Sequence, residues 1–270
     1  MGTVATLPTD FWEQALERIE LLPISIVVAI LANSSGFSGA VLFQPIMYFT
    51  QGLPLPVSIA SGIASETIGM SSGAIRYHLA RRVPWPEVRP SLLWVAIGVW
   101  IGYIIFREVS NLWLKGILAT VLIGVSLLKL AEIFVFRPVS GLSRSDLLWR
   151  RGIGLIGGVG SASVGTGVCE LHQPYFERVR RLAVIPSNAA AIATEAWGNI
   201  LISILNLSWG MIDFTVLIWT GPGCFIGAQI GAGIAHLLNE RWMKLVFAAG
   251  VMCIGIFYMY QVLPKLLGSG

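Results

Sequence analysis

The sequence predicts an all-α integral membrane protein made of two inverted-topology repeats, each an interrupted or re-entrant helical segment followed by three transmembrane helices. Three observations predict this class: the composition, the spacing of the apolar segments and an internal duplication. Of the 270 residues, 55% are hydrophobic and 12% are charged, and the mean hydropathy is +0.76. Because soluble domains are about 25% charged, the composition excludes a soluble globular protein.

The apolar segments are long enough to cross a bilayer. A span needs roughly 20 mostly apolar residues. The candidate segments are 23–50, 56–80, 88–107, 112–136, 151–177, 182–208, 212–238 and 241–263. The long polar stretch at 137–150 predicts a cytoplasmic linker between two membrane repeats, 23–136 and 151–263. Residues 1–22 carry a helix start signal at Asp10 and apolar residues at helical spacing, which predicts an N-terminal interfacial helix.

The two halves repeat each other at a constant offset of 129 residues. Without a gap, this offset aligns Gln44-Pro45 with Gln173-Pro174, Glu66 with Glu195, and Trp113 and Lys115 with Trp242 and Lys244. Polar and aromatic matches at one offset are hard to attribute to an apolar composition. They predict a duplicated membrane unit.

Loop charge indicates that the repeats have opposite orientations. The turn at 81–89 carries three arginines and its counterpart at 210–218 carries none, whereas 50–56 carries none and its counterpart at 179–185 carries two. Lys and Arg of short loops prefer the cytoplasmic side, so equivalent turns are predicted on opposite faces. Inversion requires an odd number of crossings per repeat. The first segment of each repeat is therefore predicted to be a re-entrant hairpin, with a glycine-kinked full span as the alternative.

The middle of each first segment is rich in helix breakers, "NSSGFSG" and "GSASVGTG". A helix broken inside the bilayer exposes backbone N–H groups at the start of its second half, and those groups suit an anion. Glycine allows close approach, hydroxyls add donors, and the glutamines of the Gln-Pro pairs both donate and accept. The alternative is that the glycines only allow close helix packing. The predicted substrate-binding residues are Gly36, Ser38, Gly39, Gln44, Gly165, Thr166, Gly167, Cys169, His172 and Gln173.

Cys169, Glu170 and His172 depart from the duplication, because the first half has Ala40, Val41 and Phe43 at these positions. We expect this asymmetry to affect substrate specificity, although a lone cysteine in an apolar segment is commonly a packing residue. No further Cys or His nearby completes a metal-ligand set. The sequence therefore predicts no metal, no other cofactor and no catalytic residue.

Glu66 and Glu195 lie in the middle of predicted spans. A charge near the bilayer centre costs at least about 2.5 kcal/mol, so such a residue is expected to be protonated, paired or facing water. Their duplication predicts a role in proton coupling or gating. The alternative is a neutral carboxyl that ties two helices together.

The stretches "SSGFSGAVLFQPIMYF" and "SVGTGVCELHQPYF" resemble the sulfite exporter TauE/SafE family of membrane transporters, and the resemblance covers roughly 23–263. It implies export of a small sulfur-containing anion such as sulfite or an organosulfonate (sulfoacetate), and a location in the bacterial inner membrane. The family's Gly-rich motifs would map onto Gly36–Gly39 and Gly165–Gly167. The chain departs from the usual pattern at Phe37 and Ser38 and in the run Cys169–His172.

The predicted function is a secondary transporter that works by alternating access, with proton coupling as a hypothesis. No nucleotide-binding signature G-x-x-x-x-G-K-[ST] is present. A passive anion channel is the alternative. An intramembrane enzyme that uses Cys169 and His172 has no independent support, so we expect no enzymatic activity. The expected partners are the small anion and the lipid bilayer but not nucleic acid, and a homodimer stays an open alternative.

Overall fold

The structure is a computed structural model that describes residues 10–106, 108–134 and 145–266. Residues 1–9 of the predicted interfacial helix and most of the predicted linker 137–150 lie outside the described residues. Within the described ranges the ordered elements are all helical and no strand occurs.

The helices occur in the same order in both halves of the chain. The first half contains α1 (Phe11–Glu17), α2 (Leu21–Ser35), α3 (Ala40–Thr50), α4 (Leu55–Leu79), α5 (Trp85–Phe106) and α6 (Asn111–Phe134). The second half contains α7 (Ser145–Val164), α8 (Val168–Pro174) with a π-helical turn (Tyr175–Val179), α9 (Val184–Ser208), α10 (Phe214–Ile234) and α11 (Glu240–Leu266).

Five helices in the described part of the chain are long and apolar enough to cross a membrane: α5, α6, α9, α10 and α11. This confirms the prediction of an all-α membrane protein. Helix α4 is as long as α9, at 25 residues, but is not among the five. Its buried serines Ser58, Ser61 and Ser65 lower its hydropathy. The helix contains these polar side chains because it lies in the interior of the bundle.

The backbone of the two halves repeats at the offset of 129 residues. Helix α4 begins and ends at positions equivalent to the first and last residues of α9. Positions with a left-handed backbone also pair: Gly36 (φ 72°) with Gly165 (φ 74°), Gly52 (φ 65°) with Arg181 (φ 56°), and Arg81 (φ 55°) with Gly210 (φ 65°).

Two helix interfaces are built from equivalent contacts with the halves exchanged. Helix α5 packs on α7, and its counterpart α10 packs on α2. A Cβ atom on Gly98 would overlap the carbonyl oxygen of Leu155, and one on Gly227 would overlap that of Ile26, the residue equivalent to Leu155. Glycine is required at both positions because the backbones touch there.

Both interrupted segments are helical hairpins. Gln51 donates from Nε2 to Glu20 Oε1 at 3.0 Å, so the end of α3 lies beside the start of α2. Arg150 donates from Nε to the hydroxyl of Tyr175 at 3.1 Å, which places the end of α8 beside the first part of α7. A kinked full span would separate such ends by about 30 Å. The hairpin prediction therefore describes these segments and the kinked span does not.

Two groups of polar contacts mark the two ends of the bundle. At one end Arg18, beside the Glu20–Gln51 bond, pairs with Asp213 at 2.9 Å. At the other end of the bundle, beyond the last residue of α4, Glu87 pairs with Arg150 at 3.1 Å and with Arg180 at 2.7 Å.

Candidate functional site

The two helix breaks meet in the interior of the molecule. Left-handed Gly36 ends α2 and left-handed Gly165 follows α7, each donating its N–H to a carbonyl four residues earlier. Ser38 Oγ lies 2.9 Å from the carbonyl oxygen of Gly165, and Gln44 donates from Nε2 to the carbonyl oxygen of Val164. A Cβ atom on Gly165 would lie 2.5 Å from Gln44 Nε2. The breaks can touch only because Gly165 has no side chain.

Buried carboxylates occupy the backbone N–H groups after each break. Glu66 of α4 accepts from the Gly39 N–H at the start of α3, and its other oxygen lies 2.9 Å from Ser38 Oγ. Glu195 of α9 accepts from the Cys169 N–H at 2.5 Å, at the start of α8. The sequence analysis assigned these donors to a substrate anion. In the structure they hold side-chain oxygens, because an unpaired carboxylate and an unpaired N–H are both costly when buried.

A third buried carboxylate, Glu170, contacts both breaks. Its Oε1 accepts from the Ser38 N–H at 2.9 Å and its Oε2 from the Gly167 N–H at 2.9 Å. The sequence analysis noted Glu170 as a departure from the repeat but not as a binding residue. Its contact with Ser38 joins residues 132 positions apart in the chain, which no sequence pattern reveals.

A cavity of about 250 Å³ leads toward the second break. Its lining includes Phe106, Ala162, the exposed Trp209, and the buried Ser163 and Asn206. The cavity is thus lined both by an exposed side chain and by Ser163, which directly precedes the break at 164–167.

The equivalent place in the other half is closed. The counterpart of Asn206 is Tyr77, which is 1% exposed and donates from its hydroxyl to the carbonyl oxygen of Asn33 at 2.8 Å. Asn33 is itself the counterpart of Ala162, which lines the open cavity. The counterpart of Phe106, Ala235, is buried in the same apolar cluster as Tyr77. One cavity is thus open while its counterpart is filled by a tyrosine.

The family model described as "Sulfite exporter TauE/SafE" matches residues 21–258.

The chain belongs to the sulfite exporter TauE/SafE family.

A relative from Magnetospirillum gryphiswaldense, described as "Probable membrane transporter protein MamO", is 23% identical over 258 residues, which cover 81% of this chain and 38% of the relative. The chain therefore spans well under half the length of that relative. No solved structure matches the chain. Family membership confirms the resemblance inferred from the two Gly-rich stretches.

In this TauE/SafE chain, the residues singled out as binding candidates do not all lie together. Gly36, Ser38, Gly39, Gln44, Gly165, Thr166 and Gly167 form the two breaks or contact them. Cys169 reaches the group through its backbone N–H. His172 lies to the side: its Nδ1 is 2.9 Å from the carbonyl oxygen of Val168, and its ring is 5.7 Å from that of Phe176. Gln173 Nε2 donates to Asn188 Oδ1 at 3.2 Å.

A buried charged cluster beside the second hairpin escaped the sequence analysis. Lys129 Nζ, fully buried, lies 3.1 Å from Glu132 Oε1, 3.1 Å from Gln173 Oε1 and 4.7 Å from the ring centroid of Phe37. Lys244 Nζ lies 3.4 Å from both Glu132 Oε2 and Glu177 Oε2. A charge inside a predicted span is the signal that could have found this cluster.

The charged cluster is only partly repeated at the other hairpin. The counterpart of Lys129 is Tyr258 and the counterpart of Glu177 is Tyr48, and these two rings lie 6.1 Å apart. Lys244 has its counterpart in Lys115, which donates to the Tyr48 hydroxyl at 2.6 Å, so the first hairpin keeps one of the two lysines and has tyrosines in place of Lys129 and Glu177. The described side chains form no group of three or more His, Cys, Asp or Glu that could hold a metal ion.

Proposed function

We propose that this chain is a secondary transporter, acting as an exporter in the bacterial inner membrane, for a small sulfur-containing anion such as sulfite or an organosulfonate. The observation that carries the proposal is the meeting of two helix breaks whose backbone N–H groups hold carboxylate oxygens. Donors arranged for the oxygens of a carboxylate also suit the oxygens of a sulfite or sulfonate group. The transported anion takes donors of Ser38, Gly39, Gly167 and Cys169 when side-chain carboxylates leave them.

Glu66 and Glu195 are the proposed coupling residues. Each accepts a backbone N–H at the start of a half-helix, so each competes with an anion for that donor. A proton on the carboxyl group removes its negative charge and weakens its hold on the N–H group. Proton uptake therefore releases a donor to the substrate, which couples anion binding to the protonation of the carboxyl group. Asn199, whose Nδ2 lies 3.1 Å from Glu66 Oε2, holds the Glu66 carboxyl in place.

Inverted repeats supply the proposed access cycle. Gln51 lies beside Glu20 at one end of α4, whereas its counterpart Arg180 lies on Glu87 at the other end. Together with the loop charges, these contacts support opposite orientations, with the cavity at Trp209 facing outward. Transport then requires the outward cavity to close as the Tyr77 side opens, so that the halves exchange conformations.

An enzyme is a poor alternative for this arrangement. The Cys169 thiol is hydrogen-bonded to Glu195, which already accepts from the Cys169 N–H, whereas His172 Nδ1 lies against the Val168 carbonyl, so the Cys169–His172 pair that an enzyme would use is not formed. A passive channel would use the same donors without a need for carboxylates at both half-helices. The duplicated Glu66 and Glu195 therefore favour coupled transport.

Flux into proteoliposomes tests the proposal. Sulfite, thiosulfate, sulfoacetate, sulfate and chloride are compared with and without an imposed pH gradient, with protein-free liposomes as the control. We expect a sulfur oxoanion to accumulate above its outside concentration only when the pH gradient is present. Equilibration without accumulation would identify a channel, and no flux of any sulfur anion would overturn the proposal.

A further inference from the structure

Glu170 joins the two helix breaks. One oxygen accepts from Gly167 in its own hairpin and the other accepts from Ser38 in the other hairpin, each at 2.9 Å. The first bond is an ordinary N-terminal cap, in which a glutamate at the third helical position reaches back to the residue before the helix. The second bond crosses to the other half of the molecule and adds nothing to the cap of α8.

The duplication provides an internal control for the role of Glu170. Its counterpart is Val41, which is fully buried in the first hairpin. That hairpin has the same left-handed glycine and the same helix order, so the break forms without a carboxylate at this position. The Glu170 carboxylate is therefore not a general requirement of the hairpin.

The surroundings of Glu170 contain a further polar atom for a ligand. Thr166, between Gly165 and Gly167, is fully buried, and its Oγ1 has no hydrogen-bond partner among the described residues. A carboxylate has two oxygens and both are used by Glu170 on Ser38 and Gly167. A sulfite or sulfonate group has a third oxygen, for which the Thr166 hydroxyl is a donor.

We propose that Glu170 is a tethered occupant of the anion site, holding the Ser38 and Gly167 donors in the empty transporter and leaving when a substrate oxoanion binds. The inference rests on the proposed function and adds a competitor built into the chain. The ligand it implies has at least two charged oxygens that bridge two N–H groups, which favours an oxoanion over a halide. Because Glu170 must first be displaced, the apparent affinity for substrate is reduced by the fraction of molecules in which it is bound.

Anion binding to purified full-length variants tests this competition. Sulfite, methanesulfonate and chloride are titrated by calorimetry into the wild type, Glu170→Gln and Glu170→Ala, and Glu177→Gln is the matched control. Glu177→Gln removes the same charge from the turn that continues α8, but Glu177 lies near Lys244 and Gln173 and away from the breaks. We expect both Glu170 variants to bind sulfite at least roughly tenfold more tightly, with Glu177→Gln and chloride affinity unchanged.

Two failures are distinguishable. If the wild type binds sulfite and the Glu170 variants, shown to be monodisperse and folded, bind it equally or more weakly, Glu170 is not a competitor and the proposed anion site stands. If neither the wild type nor any folded Glu170 variant binds an oxoanion, the proposed function itself is wrong. Glu170→Gln preserves the size of the side chain, so it covers the case in which Glu170→Ala does not fold.

Discussion

Replacing Gly165 with alanine tests whether the contact between the two breaks is needed for transport. Gly165 has φ 74°, and Gly52 has φ 65° in a turn with open space around it. An alanine in this left-handed conformation costs about 1–2 kcal/mol at either position. At Gly165 the new Cβ atom would also lie 2.5 Å from Gln44 Nε2 and 3.2 Å from the Cβ of Ala40. Gln44 must then give up its bond to Val164, an additional loss of about 1–3 kcal/mol.

The assay pairs sulfite flux in proteoliposomes with thermal unfolding of both variants. The shared backbone cost should lower both melting temperatures. The additional loss at the break corresponds to a factor of roughly 5–150, so we expect Gly165→Ala to reduce flux by about that factor while Gly52→Ala retains it. Equal flux in the two variants would show that the close approach of Gln44 to Gly165 does not matter for transport.

Three further results are expected. Glu195→Gln should abolish accumulation driven by a pH gradient while downhill exchange persists, as measured by flux at two external pH values; persistent accumulation would exclude Glu195 from coupling. Burial alone would raise the pKa of Asp213, but hydrogen bonds from Thr215 and Arg18 outweigh it and hold the pKa below its usual 3.8. The contribution of ionised Asp213 to stability is therefore present above about pH 4 and is lost as the pH falls through the lower folded pKa. Asp213→Asn should lower the melting temperature at neutral pH and show less acid dependence than the wild type; identical melting curves across pH would contradict this. Gly98→Leu and Gly227→Leu should each destabilise the protein by about 1–3 kcal/mol, because the new side chain meets the backbone of α7 or α2. A variant with an unchanged melting temperature would show that these helices are less closely packed.

Much of the fold could be predicted because the duplicated residues are those that determine backbone geometry. Gly36 and Gly165 end the first half-helices in the same left-handed conformation. The sequence alone leaves the kinked span as an alternative to the hairpin, since hydropathy reports how apolar a segment is but not whether its two ends lie on the same side of the membrane. The Glu20–Gln51 contact supplies that direction.

The candidate site was predictable only in part. Glycines and hydroxyl residues at a helix break indicate exposed donors, but what occupies those donors depends on helices distant in sequence. Glu66 reaches Gly39 from α4, and Glu170 reaches Ser38 from the other half. Lys129 and Glu132 lie in a segment whose high overall hydropathy conceals its charges, and only the structure shows that these two are buried and paired.

The left-handed turn positions link the direction of membrane insertion to the stability of the folded chain. On the proposed orientation, Arg81 and Arg181 hold this conformation in cytoplasmic turns, and Gly210 and Gly52 hold it in the equivalent outward turns. An arginine there carries about 1–2 kcal/mol of strain that glycine avoids, yet its charge retains the turn on the cytoplasmic side during biosynthesis. Each arginine therefore favours the correct orientation during membrane insertion but adds backbone strain to the folded protein. A glycine in its place would relieve that strain and would remove the charge that directs the orientation.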